Sequence, residues 1–173
     1  MKRLRNIFTR RGWTALVLLP IAIALGAATA VRTTPAPLLV NESPSLPKGI
    51  YWRAFGHDTS SGSIVALAQP ARVQPYLRSL GFPTDVLLIK RVVAVGGQSV
   101  CAEGRTLVTP SGRHPVRARD RQGRHLPVWT GCRRLGPDEV FLLGDTETSL
   151  DSRYFGPVSR KAILGVYREG LSW

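Results

Sequence analysis

Residues 12–31 (GWTALVLLPIAIALGAATAV) carry no charge, and five cations, Lys2, Arg3, Arg5, Arg10 and Arg11, stand ahead of them. A helix of that length, at about 1.5 Å per residue, reaches roughly 30 Å, the thickness of a bilayer's hydrocarbon core. Only Arg32 follows closely. The positive-inside rule therefore holds the basic tail, residues 1–11, in the cytoplasm and sends everything past Arg32 outside. The competing reading is a cleaved secretory signal ending at the AxA-like Ala28-Thr29-Ala30, although such apolar regions usually run to about 7–15 residues. Either reading exports the remainder. The expectation is a single-pass protein of a bacterial inner membrane, with its folded part in the periplasm.

Export sets how the cysteines are read. Cys101 and Cys132 lack CxxC spacing, and in an oxidising compartment such a pair can close a disulfide; two free thiols are the alternative. His57, His114 and His125 stand in no metal-ligand spacing with one another or with a cysteine, so neither a metal nor another cofactor is expected.

A chain of 173 residues has room for one domain with a sizeable core, but not for two beside a membrane segment. Residues 32–42, rich in Pro and Thr, read as an extended tether, and the domain is expected over 43–173. Short apolar and β-branched runs at 50–55, 62–68, 86–97, 99–103, 106–110, 138–145 and 162–169 are punctuated by Gly and Pro. They predict a mainly β, antiparallel domain behind the N-terminal transmembrane helix. One short helix is expected from Val73 to Leu80, confined to a turn or two by Pro75.

Residues 112–134 (GRHPVRARDRQGRHLPVWTGCRR) form a basic insert with seven arginines and two histidines. Nucleic-acid binding is the tempting inference, but an exported domain meets little nucleic acid. The lone aromatic Trp129 makes no stacking platform either. A solvated hairpin is the preferred reading, with contact to anionic lipid headgroups as an intermediate one.

A serine hydroxyl needs a neighbouring base before it can attack. Two of the three histidines lie in the polar insert and His57 in a Gly/Asp/Thr loop, which leaves lysine, usable only if desolvation keeps it neutral. Lys2 is cytoplasmic by the topology above, Lys48 lies in a Pro/Gly turn, and Lys161 follows Arg160 in a polar stretch. Only Lys90, inside VLLIKRVVAV, has apolar neighbours on both sides. On a strand it shares a face with Leu88, Val92 and Ala94 while Arg91 points the other way. The alternative is a lysine snorkelling from an edge strand.

SPSLPKG at 43–49, IKRVVAVGG at 89–97 and GDTETSLDSRYFGPV at 144–158 occur in this order behind the apolar run. They resemble the serine, lysine and C-terminal boxes of the type I signal peptidases (S26), over most of residues 43–169. Within that family the short length, single anchor and NESPSLPKGIYW opening are most similar to the TraF-type peptidases of conjugative transfer systems, which process a pilin subunit. The resemblance implies a signal-peptidase-like β domain with Ser45 as nucleophile and Lys90 as general base. It further implies that Ser43 donates to the oxyanion, that Ser149 bonds and orients the lysine amine, and that Asp151 and Arg153 form a supporting ion pair, with added weight on Asp151. Thr146 stands where the larger family members carry asparagine after GD, and Ser63 where their GDIV box has Asp.

The leading expectation is a Ser/Lys endopeptidase that cleaves an exported precursor, a pilin-like polypeptide with small residues near the cut, at the bilayer. A general type I signal peptidase is the alternative within the class. A non-catalytic, membrane-tethered scaffold of a secretion or conjugation apparatus is the alternative outside it. The self-cleaving repressors, which also use Ser and Lys, are disfavoured because a membrane span stands here in place of a DNA-binding domain.

Overall fold

The structure, a computed structural model, describes residues 35–173. The expected cytoplasmic tail, the membrane anchor and the first residues of the tether lie outside the described residues. Among the described residues no helix is long and apolar enough to cross a membrane. Ala36–Trp173 forms one compact unit.

Among the described residues eleven strands make two antiparallel sheets. They are β1 (Leu38–Asn41), β2 (Gly49–Arg53), β3 (Ile64–Leu67), β4 (Leu88–Val95), β5 (Ser99–Glu103), β6 (Thr106–Thr109), β7 (Gly112–Pro115), β8 (Gly131–Arg134), β9 (Glu139–Leu143), β10 (Val158–Ser159) and β11 (Ile163–Ser172). The larger sheet runs β1-β2-β11-β3-β4-β9-β10 and the smaller β7-β6-β5-β8. Each of the seven expected runs overlaps a strand, and the expected helix is Gln74–Ser79, with proline in its first turn as its fixed φ favours.

The middle of the larger sheet is apolar on both faces. All four residues of β3 are buried, and alternation deals them to two clusters, Ile64 and Ala66 with Leu46, Tyr51, Ile89 and Tyr167, and Val65 and Leu67 with Val92, Val140 and Leu142. A third cluster joins the two sheets: Val93 and Ala94 from β4, Val100 and Leu107 from the smaller sheet, Phe141, Phe155 and Trp129, the last edge-on to Phe141 at 5.3 Å. The chain passes between the sheets at Gly96-Gly97. A Cβ on Gly96 would lie 2.5 Å from the Pro137 carbonyl oxygen, and Gly97 has φ +85°, so the turn requires both glycines.

Two expectations change. The tether is strand from Leu38 onward: β1 pairs with β2 from Leu38↔Trp52 to Asn41↔Gly49, and a four-residue strand after a proline is too short to show a period. The basic insert is only partly a solvated hairpin. Its ends, β7 and β8, are strands of the smaller sheet, and Val116 and Trp129 are buried. GRHP and GCRR gave no strand signal because neither has a buried residue to alternate.

Candidate active site

Ser45 lies in the turn between β1 and β2, and its immediate neighbours explain its fixed position. Leu46 is buried against Tyr51 and Ile89 and draws the turn onto the sheet. Asn41, also buried, accepts from the Ser43 amide through Oδ1 (3.2 Å), while its Nδ2 reaches the carbonyls of Ser43 (2.9 Å), Leu46 (3.1 Å) and Pro47 (3.0 Å). Tyr51 donates its hydroxyl to Pro47 O at 2.7 Å. One amide side chain thus ties three carbonyls that water would otherwise have to serve.

Across from it stands Lys90, 4 % exposed, in the long strand β4. Its amine donates to Ser45 Oγ at 3.1 Å and to Ile89 O at 2.8 Å. Burial lowers its pKa to about 8, against an opposing upward pull from Asp151. A neutral amine at this distance can accept the hydroxyl proton. The expected common face of Leu88, Lys90, Val92 and Ala94 does not persist along the strand: the register slips between Val92 and Ala94, and these two fall in different clusters. A bulge of this kind inserts one residue and reverses the alternation beyond it.

Ser43 Oγ lies 2.7 Å from Ser45 Oγ and accepts from the Ser45 amide at 3.2 Å. Asp151 and Arg153 form the expected ion pair, at 2.8 Å and 2.6 Å through two guanidinium nitrogens. Asp151 also accepts from the Gly144 amide (2.9 Å) and caps the helical turn Ser152–Phe155. Arg153 carries the carbonyls of Thr146 (2.8 Å), Glu147 (3.2 Å) and Pro115 (3.2 Å), so it holds the 144–151 loop in place.

Ser149 departs from expectation. It is buried, but its hydroxyl has no hydrogen-bond partner among the described residues, and the amine of Lys90 is directed to Ser45 and Ile89 instead. Ser149 packs over Gly144, where a Cβ would collide with its hydroxyl and lie 2.7 Å from the Ser45 carbonyl oxygen. The Thr146 hydroxyl is likewise buried without a partner.

The sequence offered little on three residues that hold this arrangement. Arg91 grips Asp145 with two bonds (2.9 and 2.8 Å), and the Asp145 amide donates to Ser45 O at 2.6 Å. The lysine strand, the 144–151 loop and the Ser45 turn are therefore locked together. Asn41 is the third, hidden in what read as tether. The histidines are elsewhere: His57 meets Arg168, and His114 meets Thr109 and Ser111.

A cleft of ≈ 590 Å³ opens at Ser45 and Lys90, walled by Val40, Phe82, Val86 and Leu87 and closed by Thr146 and Ser149. Cys101 and Cys132 are joined in a disulfide across the β5–β8 pair. With both sulfurs bonded, their grouping with Glu103 offers no thiolate to a metal.

The family model described as signal peptidase, peptidase S26, matches residues 10–171. The chain belongs to this serine peptidase family. It is 32 % identical over 168 residues to an Escherichia coli protein named plasmid transfer protein TraF, covering 87 % of this chain and 94 % of that one. A probable conjugal transfer protein TraF of Sinorhizobium fredii (strain NBRC 101917 / NGR234) is 38 % identical over 149 residues, covering 78 % of this chain and 77 % of its own. A conjugal transfer protein TraF of Agrobacterium fabrum (strain C58 / ATCC 33970) is 34 % identical over 141 residues, 75 % of this chain and 79 % of its own.

Proposed function

We propose that the protein is a membrane-anchored serine endopeptidase that cleaves an exported precursor, a conjugative pilin subunit, with Ser45 as nucleophile and Lys90 as general base. The observation that carries this reading is the buried Lys90 amine, 3.1 Å from Ser45 Oγ, with its pKa drawn down to about 8. At pH 7 such an amine is neutral in about one molecule in ten, against about one in 2,500 for a free lysine. Family membership and relatives named for plasmid and conjugal transfer support the substrate class.

Neutral Lys90 takes the Ser45 proton as Oγ attacks the scissile carbonyl. The oxyanion replaces Ser43 Oγ as acceptor of the Ser45 amide, and the Ser43 hydroxyl turns to donate to it. The lysinium then protonates the departing amine as the C–N bond breaks, leaving an ester on Ser45. Lys90 next deprotonates water, which attacks the ester, and the lysinium returns that proton to Ser45 Oγ as the C–O bond breaks. The apolar run 12–31 holds the domain at the periplasmic face of the inner membrane, where a precursor's cut site emerges, and the Cys101–Cys132 disulfide suits that oxidising compartment.

An acylating serine probe should label the full chain and not Ser45→Ala, and a co-expressed pilin precursor should be processed only by the former. Labelling that survives Ser45→Ala would defeat the assignment. No labelling of either form, with no processing, would favour a scaffold.

A further inference from the structure

We propose that the cleft continues past Ser45 into a basic subsite that takes an acidic side chain of the precursor; this rests on the reading of Ser45 as the nucleophile. A second hollow of ≈ 310 Å³ shares Pro44, Thr148, Ser149 and Leu150 with the cleft, and its far wall comes from Arg117, Arg119 and Arg121 of the basic insert. Pro44 immediately precedes Ser45. A peptide with its carbonyl at Ser45 and one flank in the apolar cleft thus meets the second hollow with its other flank.

The charge there is unbalanced. Among the described residues Asp120 is the one carboxylate in that wall, and it is already occupied by Arg124 Nε (2.7 Å), the Tyr76 hydroxyl (3.0 Å) and the amides of Gln122 and Arg124 (2.9 Å each). Arg117 touches Glu147 at 3.3 Å with one nitrogen, and Arg119 gives one to Gly123 O at 2.6 Å. Arg121 has no hydrogen bond or ion pair among the described residues. Guanidinium presents five donors in a fork that matches a carboxylate, so most donors in this wall are open to a ligand. A neutral or basic flank would leave them to water, whereas an Asp or Glu would be held.

The test compares fluorogenic precursor peptides carrying Asp or Asn at successive positions on both sides of the cut, with the full chain in detergent. The Asp-to-Asn ratio of kcat/KM should peak at one or two positions on one flank, at roughly threefold to tenfold, and should shrink in high salt. In Arg119→Gln/Arg121→Gln the ratio should fall to about one, and in Arg121→Glu a Lys peptide should become preferred. A ratio near one in the wild type, or one that the double variant leaves unchanged, overturns the subsite while Ser45-dependent cleavage stands. If the double variant instead loses only its binding to anionic vesicles, the arginines serve the membrane and the proposal is wrong. Cleavage that persists in Ser45→Ala removes the underlying reading and the subsite with it.

Discussion

Strand β4 and the turn after β9 each bury a cation in the same neighbourhood, Lys90 at 4 % exposure and Arg153 at 2 %, and treat it in opposite ways. Arg153 has a carboxylate in bidentate contact and several carbonyls besides. Among the described residues Lys90 has a hydroxyl and one carbonyl, with no carboxylate in contact. A fully paired guanidinium stays charged and fastens loops. An amine buried without an ion partner is pushed towards its neutral form, which is the form that can take a proton. Equal burial thus yields a clamp in one region and, in the proposed mechanism, a base in the other.

The sharpest separation comes from Lys90→Met. In the proposed mechanism it removes the base and should lower kcat by roughly 10²–10⁴-fold, yet it should make the protein more stable. The unfolded lysine binds its proton more tightly than the folded one, so the penalty is complete below pH 8 and is relieved as pH rises from about 8 towards 10.5. At pH 6–7 the variant should gain about 3 kcal/mol, shrinking at higher pH, as followed by urea unfolding. Wild-type activity should climb through a midpoint near pH 8 for the same reason. A variant less stable than wild type at pH 6 would mean that Lys90, like Arg153, is structural.

Arg153→Met should do the reverse. It strands Asp151, which has no exposed surface, and frees the carbonyls of Thr146 and Glu147, a loss of about 3–5 kcal/mol by the same unfolding measurement. Activity should fall with the folded fraction. Near-normal stability together with a shifted pH midpoint would make Arg153 an electrostatic partner of Lys90 instead of a clamp.

Asn41→Ala tests whether the Ser45 side of the site is built as firmly as the Lys90 side. Losing four contacts to the turn should lower kcat about tenfold, with KM and the pH midpoint near wild type because Lys90 is untouched. A drop in stability alone, with kcat per folded molecule unchanged, would reduce Asn41 to a strand residue.

What could be read from the sequence follows the same division. Chemistry singled out Lys90 as the one lysine with apolar residues on both sides, but only the order of the motifs set it against Ser45; the buried strands were legible by composition. Ser45 was legible only through its motif, since nothing in a Pro-flanked serine reveals that Leu46 and Asn41 fix it. Strands β7 and β8 escaped because exposed edge strands need no apolar pattern. Arg91 and Asp145 meet across 54 residues of sequence, and no local rule pairs them.

Ser149 gives the smallest expected effect and the finest test of how Lys90 is held. If its hydroxyl oriented the amine, Ser149→Ala would lower kcat and move the pH midpoint. The hydroxyl has no partner, however, and borders the cleft beside Thr146, whose hydroxyl is also unpaired. Removing a buried, unsatisfied hydroxyl leaves no protein group stranded, so the folded state should lose little or even gain. The hydroxyl is covered in the free protein, so its one new partner would be a substrate that opens this wall of the cleft. Ser149→Ala should then raise KM a few-fold, while kcat, the pH midpoint and the unfolding midpoint stay close to wild type. A kcat loss with a displaced midpoint would show that the amine leaves Ile89 for Ser149 once substrate is bound, and that Lys90 is oriented by a partner after all.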